Sequence, residues 1–163
     1  MPRATPPSPH VSAQEFDKHS ARLLVVLGLF GVWHLARVHH EFKSDIISAL
    51  ILGEIAHHNI AALVRAGGIE VDGGLERLGI PGVRDHLLPC NAHSIAMACD
   101  IPRETVRRKI AALIKRGWLE RSPKGELFVT AIPSQHFRQF NIDLTDRILE
   151  TAHQIRAILD SGA

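Results

Sequence analysis

The chain has 163 residues, of which 45% are hydrophobic and 22% charged, and these values exclude disorder over most of its length. Its two cysteines, Cys90 and Cys99, exclude a disulfide framework and indicate a reducing compartment, so we expect a cytoplasmic protein. The formal net charge of +2 hides an uneven distribution, because residues 101–125 contain eight Lys or Arg and two acids. The rest of the chain contains 11 basic and 15 acidic residues. A basic segment on an acidic body predicts one surface that meets a polyanion.

The N-terminal half predicts an arm and two helices. Residues 1–12 contain four prolines and few apolar side chains, which is typical of a disordered arm. Helical patterns follow at residues 13–40 and at about residues 44–65, so residues 13–66 are predicted to form a helical core that also dimerises. Residues 67–88 are rich in glycine and predict a connection without long elements.

The first predicted helix contains an apolar run that has to be compared with a membrane span. Residues 23–36 are apolar except for His34, and Arg22 and Arg37 bracket these 14 residues. A bilayer requires about 20 residues, and a run of this length is more often a buried helix. We therefore expect no membrane association and instead a helix buried on most sides at a subunit interface.

Residues 89–132 contain the clearest signals for secondary structure in the sequence. Asn91 is placed to cap a short helix over residues 92–99, and a three-residue turn follows. Pro102 is predicted to open a second helix as its first residue, and Gly117 to end it. The apolar residues of this second helix recur with the spacing of one helical face; they are Val106, Ile110, Leu113 and Ile114.

Two short strands are predicted next, at residues 119–122 and 127–130, with a basic turn between them. A short helix, a tight turn, a basic helix and a basic hairpin follow the order of a winged helix-turn-helix. The predicted fold is therefore mainly α with a small β-hairpin wing, flanked by N- and C-terminal dimerisation helices.

The C-terminal region, residues 133–163, predicts the second dimerisation helix. The helix is expected over residues 144–159, with Asp143 or Thr145 as its N-terminal cap. Its apolar stripe is predicted to consist of Ile148, Ala152, Ile155 and Leu159.

The second helix of the winged unit has the composition of a helix that enters the DNA major groove. Such a helix must be slim at its centre and polar at its leading end, and Ala111 and Ala112 keep the centre slim. Arginine can bind guanine through two hydrogen bonds and glutamate can accept one from cytosine, so Arg103, Glu104 and Arg108 are the predicted base readers. Glu104 is also expected to steady the Arg108 guanidinium one turn further on. The predicted phosphate contacts are Arg107, Lys109, Lys115, Arg116, Arg121 and Lys124.

The segment Ile101-Pro-Arg-Glu-Thr-Val-Arg-Arg-Lys-Ile110 resembles the recognition helix of the Crp/Fnr regulators, in which an Arg-Glu-Thr-Val-x-Arg core reads the operator. The resemblance extends over residues 91–130 and implies the same three base readers, with Thr105 as a DNA backbone contact and Val106 as a core anchor. Two features depart from that family: Pro102 replaces the common Ser or Thr cap, and nothing upstream resembles its nucleotide-binding β-roll. The order of helices around the winged unit looks instead like that of the MarR-type regulators.

These patterns predict a sequence-specific transcriptional regulator that binds double-stranded DNA as a homodimer on a palindromic operator. The existence of a small-molecule effector stays open. No catalytic motif, phosphate loop or dinucleotide fingerprint is present, so no enzyme activity and no cofactor are expected. Two alternatives remain. One is a winged-helix adaptor that binds protein without DNA. The other is a metal-dependent regulator or enzyme, although the spacings of the eleven histidines and two cysteines are poor for a metal site.

Overall fold

A computed structural model describes residues 10–67 and 87–161, with the backbone alone at residues 62–67. The helices and strands of this part of the chain are, in order, α1 (Ala13–Glu41), α2 (Ile46–Gly67), α3 (Ala92–Cys99), α4 (Arg103–Lys115), β1 (Leu119–Arg121), β2 (Leu127–Val129), α5 (Ile132–His136) and α6 (Arg138–Asp160). The chain is mainly helical with a small antiparallel hairpin, as its sequence predicts. Most of the predicted arm and of the glycine-rich connection lies outside the described residues.

The larger of two compact units comprises residues 37–141. Within its described part, α2 lies against α3, α4 and β2, while α3 contacts α4 and α4 contacts β1. In the hairpin, Leu119 faces Val129 and Arg121 faces Leu127. Cys90 forms a further antiparallel bridge to Leu127, so a third, single-residue strand position borders β2. The unit is therefore a three-helix cluster with a hairpin at its edge.

The inward face of α4 is confirmed by burial. Val106, Ile110 and Leu113 are each at most 1% exposed, and Ile114 packs partly buried against the same core. Their main partners on the other elements are Phe42, Ile51, Ile55, Ile95, Trp118, Leu119 and Leu127. Burying side chains of this size contributes about 1.5–3 kcal/mol each. Because one face of α4 is held this firmly, the opposite face has a fixed orientation.

The ends of α3 and α4 are set by local chemistry. Asn91 caps α3, and its side-chain oxygen accepts hydrogen bonds from the backbone N–H groups of His93 and Ser94. The tight turn to α4 passes through Asp100 in the left-handed region, with φ of 53°. Pro102 is the N-cap of α4 and not its first helical residue, so that prediction is corrected by one position. Gly117 ends α4 at a φ of +73°, a conformation that glycine adopts without strain.

The sequence does not indicate α5, and the predicted start of α6 is wrong. Helix α6 begins at Arg138, six residues before the predicted start, so Asp143 and Thr145 are not its caps. The reason is an aromatic contact distant in sequence. The ring of Phe137, between α5 and α6, stacks on Phe42 at 5.1 Å and meets Trp118 at 5.2 Å.

The smaller unit is formed by the described residues among 1–36 and 142–163. Here α1 and α6 run antiparallel, because Arg22 bonds to Ser161 while Arg147 lies over the Trp33 ring at 5.8 Å. Leu23 and Ile158 are the buried apolar residues of this unit within the described part of the chain. The predicted stripe on α6 is rotated from the observed packed face, because Ile148 is 48% exposed whereas Ile158 is buried.

In the single chain α1 is not buried on most sides, and the expectation that a subunit interface covers it stays a prediction. Within α1, the buried residue is Leu23, and much of the apolar run faces outward. By length and composition alone, α1 could cross a membrane.

One fully buried amide joins α2 to the hairpin. The side-chain nitrogen of Asn59 donates to the carbonyl oxygens of Leu88 at 2.8 Å and Leu127 at 3.2 Å. Its oxygen accepts from the backbone N–H of Val129 at 2.8 Å. Asn59 is 0% exposed, so each of these bonds replaces water that cannot reach the site.

A second polar link holds α2 to α4. Asp45 caps α2, since its carboxylate accepts from the backbone N–H and the hydroxyl of Ser48. The same carboxylate forms an ion pair with Lys109 of α4 at 2.8 Å. Partial burial alone would raise the pKa of Asp45, but the hydrogen bonds from Lys109 and Ser48 outweigh it and lower the pKa below its ordinary value.

We expect Asn59→Ala to destabilise the protein by about 2–4 kcal/mol, because the part-buried carbonyl of Leu88, the buried carbonyl of Leu127 and the buried N–H of Val129 each lose a hydrogen bond. Urea unfolding monitored by circular dichroism measures this loss. His57→Ala, at an exposed position of α2, is the matched control and should change stability by less than about 0.5 kcal/mol. Equal losses in the two variants would contradict the role given to Asn59.

We expect Asp45→Asn to cost about 1 kcal/mol at pH 7, since the amide keeps the cap acceptor but loses the charge that faces Lys109. A carboxylate with a lowered pKa stabilises the folded state above its unfolded pKa of about 3.9. That stabilisation disappears as the pH falls through the pKa of Asp45 in the folded state. The free energies of unfolding of the wild-type and Asp45→Asn proteins should therefore become equal in acid. Urea unfolding between pH 7 and pH 3 tests this, with the exposed Asp146→Asn as control. If the free energy of unfolding differs between the two proteins by the same amount at every pH, the loss comes from altered geometry and not from the missing charge.

Candidate nucleic-acid interface

The outward face of α4 consists of residues that the helix turns away from the core. Arg103, Glu104 and Arg108, the predicted base readers, are all exposed. Ala111 and Ala112 are exposed behind them, so the centre of this face carries only methyl groups. Lys115 is exposed at the far end of the helix. The face is therefore charged at both ends and slim between them.

The carboxylate on this face has a partner other than the predicted one. Glu104 lies 3.6 Å from the Arg107 guanidinium, with side chains 84% and 64% exposed. An ion pair this exposed is weak, at about 0–1 kcal/mol, and gives way easily to another partner. The expected support of Arg108 by Glu104 is thus corrected. Among the described residues, Arg108 has no ion-pair partner.

Lys109 differs from the other basic residues of α4. Its ammonium group is held by Asp45, and its side chain is 23% exposed. The predicted phosphate contact at Lys109 therefore needs correction, because the charge is already neutralised on the α2 side of the helix. Asp45 three residues before Ser48 is typical of a helix cap, but nothing in the sequence indicates that this carboxylate also pairs with Lys109. Thr105, the backbone contact implied by the Crp/Fnr resemblance, is half-buried.

The hairpin adds basic groups beside α4. Arg121 ends β1 and Lys124 stands in the turn, and both are exposed. The turn is closed by a hydrogen bond from the Ser122 N–H to the Glu126 carbonyl at 2.8 Å. Gly125 in this turn has a φ of +85°, which the tight reversal requires.

An aromatic cluster lies where α4 meets the hairpin. Trp118 is buried and contacts Phe42 edge-on at 5.7 Å and His136 at 5.1 Å. The Arg116 guanidinium lies 5.2 Å from the Trp118 ring centre, and Arg116 itself stays exposed. Such a cation–π contact fixes an arginine while leaving its N–H groups available. The sequence gives no local signal for this contact.

The cysteines have the environment of packing residues. Burial, together with the negative charge of Glu54, raises the pKa of Cys90 to about 11. The same causes raise the pKa of the half-buried Cys99. Among the described residues, no group of three or more His, Cys, Asp or Glu could hold a metal ion. One of the eleven histidines, His86, lies outside that part of the chain.

No family model, curated protein or solved structure matches this chain. The exposed Arg103, Glu104 and Arg108 and the basic hairpin, positioned by the α2–α3–α4 cluster, are therefore the observations from which a function can be argued.

Proposed function

We propose that the chain is a sequence-specific transcriptional regulator that binds double-stranded DNA as a homodimer. In this proposal α2, α3, α4 and the hairpin form a winged helix-turn-helix, with α4 as the recognition helix. The observation that carries the proposal is the outward face of α4, where Arg103, Glu104 and Arg108 are exposed together on a helix whose opposite face is packed into the core.

The arrangement around α4 supports this function. The tight turn at Asp100 joins α3 to α4, and the hairpin follows α4 directly. The bridge from Cys90 to Leu127 adds the strand position that precedes α3. In a helix-turn-helix, the second helix inserts into the major groove with its N-terminal residues on the base edges. Arg103 and Glu104 are the first two residues of α4 and so match that position.

The exposed charged residues of α4 and the hairpin divide into two roles. Arg103, Glu104 and Arg108 would read bases, since their groups form the hydrogen-bond patterns that distinguish base pairs in the major groove. The residues that would contact phosphates are Arg107, Lys115, Arg116, Arg121 and Lys124. Lys109 is left out of this set, because Asp45 already pairs with it. Phosphate contacts supply most of the affinity and base contacts the preference for one sequence.

DNA binding should weaken steeply with salt. Each phosphate that the protein neutralises adds about 0.9 to the slope of log K against log salt. A dimer with about three phosphate contacts per subunit should give a slope of about −5 or steeper. Fluorescence anisotropy from 50 to 300 mM KCl, on a duplex selected from a random pool, measures the slope. A flat response would argue against DNA as the partner and favour the protein adaptor.

Two substitutions separate the reading of bases from the sequence-independent contacts to phosphates. Arg108→Ala should lose about 1–3 kcal/mol on the selected site and reduce discrimination at one base pair of each half-site. Lys115→Ala, two turns further along α4, should weaken binding to all sequences about equally and make the salt slope shallower by about 1 for each phosphate that is no longer neutralised. Competition between the selected duplex and its single-base variants measures both effects.

Arg156→Ala, at an exposed basic position of α6, is the control for loss of a positive charge and should leave binding unchanged. If Arg108→Ala and Lys115→Ala lose affinity in the same sequence-independent way, Arg108 is not a base reader. The basic face would then bind polyanions generally.

A further inference from the structure

Helix α1 carries an uncovered apolar face, and the residues along it are spaced as in helices that pack against each other in pairs. Six large apolar side chains on it are between 44% and 71% exposed: Leu24, Val25, Leu27, Leu29, Val32 and Leu35. Leu24, Gly28, Gly31 and Leu35 follow one another at intervals of four, three and four residues, and we call this line the seam. Alternation of three and four is the repeat by which two helices pack along their whole length.

The middle of the seam is open. A Cβ atom added to Gly28 or to Gly31 would meet nothing within 4 Å. None of the described residues therefore lies over these glycines, and another helix could approach the α1 backbone closely there. An exposed apolar face of this extent is uncommon on a soluble monomer and marks a surface that another molecule covers.

Helix α6 argues against lipid as that molecule. It runs antiparallel beside α1, so that Arg147 is level with Trp33, and Gln154 lines the same shallow groove as Val26. Arg147 is paired with Glu150, and these charges lie alongside the apolar run. A bilayer that covered the seam as a spanning segment would also have to take up the charged residues of α6, at a cost of several kcal/mol.

We propose that the seam is covered by α1 of a second copy of this chain, running antiparallel. Leu24 then faces Leu35 of the second copy, and Gly28 faces Gly31 of the second copy. This inference deepens the homodimer of the proposed function by naming its contact surface and its direction.

The charge pattern selects the antiparallel direction. Asp17 lies one heptad before Leu24 on the same line and is exposed. A parallel pair would place two Asp17 carboxylates opposite each other in the seam, whereas an antiparallel pair keeps them at opposite ends. Antiparallel helices also align their dipoles favourably.

A charge exchange in the full-length protein tests the proposal. Leu24→Glu alone and Leu35→Lys alone each place a charge against a leucine of the second copy, and each should weaken the dimer at least about tenfold. The double variant pairs Glu with Lys twice in an antiparallel dimer and should restore association. In a parallel dimer it would place Glu against Glu and Lys against Lys. Sedimentation velocity without DNA measures the mass relative to the 18.0 kDa chain.

Met97→Glu is the control, since Met97 is 72% exposed on α3 and is not part of the seam, and the variant should stay dimeric. A monomeric wild-type protein at micromolar concentration overturns the proposal, and so does a single variant that remains a full dimer. Failure of the double variant to recover overturns the antiparallel direction. Flotation of the wild-type protein with phosphatidylcholine–phosphatidylglycerol vesicles would assign the face to lipid.

Cross-linking gives a second measurement if circular dichroism shows that a charged variant loses helix. Mixed Leu24→Cys and Leu35→Cys chains should form a covalent heterodimer with a short bismaleimide, whereas Leu24→Cys alone should not cross-link. A homodimer cross-linked through position 24 alone would contradict the proposal. If the protein is a dimer but does not bind DNA, the proposed function is rejected while the proposed contact between the two α1 helices is kept. The two failures are therefore distinguishable.

Discussion

The amide of Asn59 is the interaction on which the larger unit depends. In an otherwise apolar core, a group that can donate and accept must find partners inside the protein, and Asn59 finds three of them on segments far away in sequence. The geometry of a planar amide permits one arrangement of residue 88 and β2 around α2. The hairpin is therefore placed by α2, although it follows α4 in the chain.

Helix α4 is also held in place by contacts with distant parts of the chain. Its apolar face is buried against α2 and α3, and Lys109 reaches Asp45 at the start of α2. These contacts fix the rotation of α4 about its own axis. The rotation decides which side chains point outward, so the charge of Lys109 serves orientation while Arg103 and Arg108 stay exposed. Hairpin and helix thus take their positions from one element, α2.

The sequence predicts the parts of this structure that are set within a few residues. Asn91 as a cap, the apolar spacing along α4 and Gly117 as its end are local signals, and each has the predicted role. The outward exposure of Arg103, Glu104 and Arg108 follows from the same spacing.

The errors arise where partners are distant along the chain. Phe137 extends α6 toward its N-terminus through contacts with Phe42, about a hundred residues earlier. The Asp45–Lys109 pair joins residues 64 positions apart, and no periodicity reveals it. On α6 the stripe of apolar residues does not say which of them is buried within the single chain, and the buried Ile158 lies outside the predicted stripe. The sequence likewise shows that α1 is apolar, but the fold alone shows which of its faces is left uncovered.

The position of Cys90 has a consequence for the chemistry of the chain in a cell. Its backbone pairs with Leu127, its sulfur lies 3.7 Å from the Leu127 carbonyl oxygen, and its pKa of about 11 keeps the thiol protonated at neutral pH. Because oxidants and electrophiles react with the thiolate, the closed structure protects this sulfur twice, by enclosure and by protonation. Oxidative damage at Cys90 would have to begin in molecules whose hairpin has detached from α2. The rate of such damage would then be governed by the local opening equilibrium of the hairpin and not by the abundance of the oxidant alone.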